Sequence, residues 1–152
     1  MFNFFRKQRQ FFSKEENERI VAAIHKAEMM TSGEVRLFVE SKCNYVDSLD
    51  RAKEIFFNLK MDQTAERNAV LVYIAMDDRQ LAVFGDEGIH KKVGDEYWKD
   101  IIIKILADFK QKNYADGLTT IIQDIGEALQ KYFPYNKDTD KNELPDDIVF
   151  GK

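Results

Sequence analysis

A chain of 152 residues, 44% hydrophobic and 33% charged, can bury one respectable core; a single domain with a tail is expected, and two domains would be crowded. Its formal net charge of -4, with no Lys/Arg stripe beyond the first ten residues, argues against nucleic-acid binding, which wants a basic surface. Arg6, Lys7 and Arg9 interrupt the N-terminal aromatics, no later apolar run is long enough to span a membrane, and the one cysteine, Cys43, can form no internal disulfide and reads as an inert loop thiol, so a soluble, cytoplasmic monomer is expected.

Ser13 followed by Glu16 forms a capping box, and Ile20, Val21, Ile24 and Ala27 mark a helix of about 17 residues that stops at "TSG", with Gly33 as its C-terminal cap. The alternation of Val35, Leu37 and Val39 predicts a strand over 34–41. A second helix starts after Asp47 or Ser48 and turns Ala52, Ile55, Phe56 and Leu59 to one face. The loop "MDQTAERN" leads to the continuous apolar run Ala69 to Met76, a central strand buried on both faces, and "QLAVF" is a short third strand. A helical turn follows "GDEG"; a helix from near Asp95 carries Ile101, Ile102, Ile105, Leu106 and Phe109, with Trp98 as an anchor on the sheet; and a last helix runs from about Tyr114 to Phe133. Three regions result: an N-terminal extension over 1–12, an α/β domain over 13–133, and a flexible acidic tail over 134–152.

The first two strands with their crossover helix make a right-handed parallel βαβ unit, and the short link between strands two and three demands an antiparallel hairpin. The fold class is therefore α/β, a small mixed sheet covered by helices on both faces. This topology brings Gly33 and Glu34, Arg67 and Asn68, and Gly85, Asp86 and Glu87 to one end of the sheet. Asp77, Asp78 and Arg79 fall at the other end, about 25 Å away at roughly 3.3 Å per residue, where they read as hairpin-turn residues.

Glu34, Asp86 and Glu87 with the Asn68 amide would gather oxygen donors beside two glycines. Two explanations stand side by side: Arg67 neutralises the cluster as a salt bridge, or a hard cation, Ca²⁺ or Mg²⁺, binds there. His90, four residues from Asp86, and His25, in the first helix, read as ordinary histidines.

The segments "SKEENERIVAAIHKAEMMTSGEVRLFVE", "TAERNAVLVYIAMDDRQLAVFGDEGIHKKVGDEYW" and "NYADGLTTIIQDIGEAL" together resemble the TPM domain family, named after a thylakoid lumen protein, a photosystem II repair protein and a nematode acetylcholine-receptor auxiliary protein. The resemblance implies a helix-covered mixed sheet, an acidic site that binds divalent metal, and acid phosphatase activity in some relatives. By position its motif falls on Gly33, Glu34, Asn68, Gly85, Asp86 and Glu87, and the "DGL" of the last helix adds Asp116. The chain departs from the pattern at Ala69, where many relatives have Gly, and in "GDEG", which replaces a "GYG"-like turn.

The candidate metal ligands are therefore Glu34, Asn68, Asp86, Glu87 and Asp116. No catalytic residue is assigned. A metal-binding accessory module with an unidentified protein partner is the leading expectation; a metal-dependent phosphatase and a purely structural domain are the alternatives. In "MFNFFRKQRQFF", Phe11 and Phe12 are expected to staple the first helix to the core, in preference to peripheral membrane contact by residues 1–12.

Overall fold

The computed structural model describes residues 10–110, 114–135 and 148–151. Its elements are α1 (Lys14–Glu28), β1 (Glu34–Glu40), α2 (Ser48–Asn58), a 3-10 turn (Met61–Gln63), β2 (Ala69–Ala75), β3 (Gln80–Gly85), α3 (Glu87–Val93), α4 (Asp95–Lys110), α5 (Tyr114–Tyr132) and β4 (Val149–Phe150). The sheet order is β3-β2-β1-β4, with β1 parallel to β2 and β4, and β2 antiparallel to β3. This is the expected mixed sheet with one strand more.

The sheet alternates its cargo between two helical layers. Val35, Leu37, Val39, Val70, Val72, Ile74, Leu81 and Val83 face α1, α3, α4 and α5, whereas Phe38, Leu71, Tyr73 and Ala82 face α2 and Met61. Because both faces are covered, every residue of β2 is buried, which is why its sequence is continuously apolar. On α5, Leu118, Ile121, Ile122, Ile125 and Leu129 form the inward stripe, each contributing about 1.5–3 kcal/mol on burial.

The Ser13–Glu16 capping box forms as expected, with Glu16 N–H bonded to Ser13 Oγ and Ser13 N–H to Glu16 Oε1. The end of α1 differs. Its cap is Met29, in a right-handed conformation, after 15 residues. Gly33 serves another need: a Cβ there would lie 2.7 Å from Leu129 Cδ2 and 3.1 Å from the Asn68 carbonyl, so its bareness lets the loop approach α5 and β2. On α4 the buried residues are Ile101, Ile105 and Phe109, with Leu106 exposed.

Phe12 is buried, and Phe11 stacks on Phe150 with ring centroids 6.3 Å apart, as the staple expectation requires. The membrane-contact alternative concerns residues of which 1–9 lie outside the described set. The flexible-tail expectation does not reach the end of the chain, where Val149 and Phe150 pair with Phe38 and Val39; residues 136–147 are outside the described set. Among the described residues no helix is long and apolar enough to cross a membrane.

Candidate functional site

Register places the expected residues together. Glu34 is opposite Ala69 and Val70 opposite Gly85, so the starts of β1 and β2 and the end of β3 converge. Glu34 N–H reaches the Asn68 carbonyl at 3.4 Å, and Asp86 N–H the Ala69 carbonyl at 2.9 Å. Arg67 is left-handed, with φ 52°, a conformation that side chains other than glycine rarely adopt. Its carbonyl accepts Gly88 N–H at 2.8 Å. A Cβ on Gly88 would sit 2.2 Å from the Glu66 carbonyl oxygen and 2.6 Å from that of Arg67, so glycine is what lets α3 begin against this loop.

Asp86, 3% exposed, caps α3 through the Glu87 N–H. Arg67 grips the same carboxylate with two bonds, Nε to Oδ2 at 2.7 Å and Nη2 to Oδ1 at 2.9 Å, and brings Nη1 within 3.4 Å of Glu87 Oε1. These hydrogen bonds to Asp86, reinforced by the charges of Asp86, Glu87 and Asp62, raise the guanidinium pKa above its ordinary value. Asn68, 1% exposed, donates Nδ2–H to Ser32 Oγ at 3.2 Å and to Glu66 Oε2 at 3.4 Å, while Ser32 donates to Glu66 at 2.5 Å. Glu34 is buried nearby.

Asp116 is elsewhere. It lies in the first turn of α5, bonded to Arg19 at 2.7 Å, whereas Leu129 of the same helix is the residue packed on Gly33. Thirteen residues of α-helix separate the two by about 20 Å.

Of the expected cation ligands, Asp86 and Asp116 are bonded to arginines. Both Asp86 oxygens are engaged by Arg67, the Asn68 amide turns its nitrogen toward Glu66, and Asp116 is remote. Asn68 Oδ1 is buried and accepts no hydrogen bond. Among the described residues no group of three or more His, Cys, Asp or Glu side chains is placed to hold a metal ion.

What the edge does form is the end wall of a cleft of about 600 Å³. Its floor is Val83, Phe84 and Gly85 of β3; Leu49, Lys53 and Phe57 rise from α2, and Asp95, Trp98 and Lys99 from α4. Arg67, Asp86, Glu87 and His90 close one end. Gly85 has no side chain because the Trp98 indole lies there: a Cβ would meet its Cζ2 at 2.3 Å. The indole N–H donates to His90 Nδ1 at 3.0 Å, which directs Nε2 toward Asp95, 3.4 Å away. Lys53 stands 5.8 Å over the Phe84 ring.

At the other end, Asp78 and Arg79 behave as turn residues. Arg79 takes φ 53°, and Asp78 Oδ2 accepts Cys43 N–H at 2.7 Å, tying the hairpin to the loop after β1. That end also holds a network centred on Glu40, 5% exposed, which is bonded by Arg51 Nε at 2.9 Å, Arg51 Nη2 at 3.0 Å and the Tyr73 hydroxyl at 2.5 Å. Arg51 extends to Glu54, which also accepts from the Tyr45 hydroxyl.

Residues 5–128 match the TPM domain. The chain belongs to the TPM domain family. The NMR structure of the BA42 protein from the psychrophilic bacterium Bizionia argentinensis is 43% identical, covers 95% of this chain and 99% of its own, and superposes with a TM-score of 0.86. The N-terminal domain of cg2496 from Corynebacterium glutamicum (12% identity, TM-score 0.62, 89% of this chain and 80% of that one) shares the fold. So does the N-terminal domain of a P. gingivalis protein (17% identity, TM-score 0.58, 82% of each chain). No curated protein matches.

Two groups escaped the sequence reading. Lys53 and Phe57 carry a signal in retrospect: Phe56 and Phe57 are adjacent, so only one can face the core, and the other falls in the stripe Leu49, Lys53, Phe57 at spacings of four. The Glu40 network is announced by Tyr73, whose hydroxyl requires a partner inside an otherwise aliphatic strand.

Proposed function

We propose that this TPM domain is a binding module whose recognition site is the cleft beside β3, suited to an elongated ligand with an apolar or aromatic body and an anionic group. The lining carries the reading: Leu49, Phe57, Val83, Phe84 and Trp98 supply apolar walls, and Lys53, Lys99 and Arg67 supply cations, within the size range of small-molecule sites. No lining residue offers a hydroxyl or thiol nucleophile, and Asp86 is held by Arg67, which favours recognition over covalent chemistry.

Soaking crystals with a fragment set of aromatic carboxylates tests this. Density over Trp98 and Phe84, with the carboxylate near Lys53, Lys99 or Arg67, is expected; density confined to the Cys43–Asp78 end, or none, would overturn it. Cation binding is the alternative favoured by the orphaned Asn68 oxygen, and calcium titration separates it. Saturable amide shifts at Glu34, Asn68, Asp86 and Glu87 would restore the metal reading, and metal-dependent hydrolysis of a phosphate monoester would restore the phosphatase.

A further inference from the structure

In an antiparallel pair, alternate residues turn both backbone groups toward the neighbouring strand. Asp86 bonds to Ala69, so counting back by twos Phe84 and Ala82 face β2, while Leu81, Val83 and Gly85 turn their N–H and C=O groups outward. The Leu81 carbonyl accepts Ser48 Oγ at 3.2 Å, as this assignment requires. Val83 and Gly85 open onto the cleft floor. The strand, "QLAVFG", contains neither proline nor charge, the usual devices that discourage edge pairing. With α2 on one side and α4 on the other, the space beside it is where a further strand of the same layered sandwich would lie. The opposite edge already works this way: β4, only two residues long, docks on β1 from the distant C-terminal segment.

We infer that the β3 edge captures an extended segment of a partner protein by strand addition, and that this segment carries a carboxylate where it passes α2. The inference rests on the cleft being the recognition site. Alternating side chains of an added strand would meet Leu49 and Phe57 on one side and Trp98 on the other, and about four residues at ~3.3 Å each span the open edge. Charge selects the occupant. Asp86 and Glu87 are engaged by Arg67, Asp95 faces His90 and Lys99 pairs with Glu96, whereas Lys53, exposed, has only its ring contact with Phe84 among the described residues. A second copy pairing edge to edge would offer "QLAVFG", which has no carboxylate for Lys53.

The probe is a capped peptide of alternating valine and glutamate, with a second version N-methylated at alternate residues, followed by amide hydrogen exchange and NMR titration on the intact chain. Protection should rise at Val83 and Gly85 and stay unchanged at Ala82 and Phe84, and N-methylation should abolish it. Val83→Pro removes an N–H that β2 does not use; it also trims the core, so Tm should fall while the β2–β3 amide signals persist, and affinity should fall about tenfold. Lys53→Glu should weaken the glutamate peptide and favour a lysine counterpart. Equal binding of the N-methylated peptide would overturn strand addition but leave the cleft as a site, as would binding of aromatic carboxylates alone. Failure of both probes would overturn the cleft reading too. Concentration-dependent dimerisation with the same protection would assign the edge to a second copy instead.

Discussion

Two buried carboxylates occupy opposite ends of the sheet, and an arginine grips each through both oxygens: Glu40 by Arg51, Asp86 by Arg67. Their surroundings differ. Arg51 has a side-chain exposure of 22%, lies 5.8 Å from the Phe38 and Tyr45 ring centroids and also binds Glu54; Glu40 receives a further bond from Tyr73. Arg67 has a side-chain exposure of 38%, stands on a left-handed backbone and reaches along the wall of the cleft to Glu87. The same ion-pair chemistry closes one end and, at the other, leaves a polar wall beside open apolar surface. A buried pair with every oxygen committed holds the fold; a pair at a cleft mouth also shapes what can enter.

Breaking the closed end should cost most. Arg51→Leu strands Glu40 in the interior, and denaturant unfolding should report a loss of about 3–5 kcal/mol. At the open end the backbone is the weak point: Gly88→Ala forces a methyl into two carbonyl oxygens and should cost about 3 kcal/mol, visible as a lowered Tm.

Tyr73→Phe sharpens the comparison through pH. Burial, with the hydrogen bond to Glu40 and then Cys43 adding, pushes the Tyr73 hydroxyl upward; burial and the charge of Asp124 do the same for Tyr97. Above about pH 10 an unfolded tyrosine loses its proton while these two keep theirs, so the native state binds more protons and stability falls as pH rises. The variant should lose about 1–2 kcal/mol at neutral pH and show a shallower alkaline decline, leaving the Tyr97 share. Arg67→Met also leaves a buried carboxylate, Asp86, without its arginine, but the Glu87 N–H still bonds that carboxylate, so the change should cost less than Arg51→Leu, and it should weaken ligand binding in the cleft more than Arg51→Met does.

The contrast was only half legible in the chain. The capping box, the buried run of β2 and the short link through Asp77 and Asp78 specify local structure directly, and from them the convergence of Glu34, Asn68 and Asp86 follows by topology. Arg67 was visible as a neutralising partner, but its reach depends on the left-handed backbone that Gly88 accommodates, which spacing does not encode. Asp116 entered through resemblance; the straightness of α5 carries it away from the edge. In sequence Gly33 looks like a helix cap because glycine serves caps and close approaches equally well, and only packing on Leu129 distinguishes them. The two-residue β4 is too short to have a period.

The most direct test of an open recognition end against a closed structural one is an amide and indole NMR titration with an aromatic carboxylate. Saturable shifts should gather at the Trp98 indole N–H and at the Gly85, Glu87 and His90 amides, with the loop Ser41–Tyr45 and the turn Asp77–Arg79 unmoved. Saturable shifts at that loop and turn, with Trp98 silent, would contradict the account.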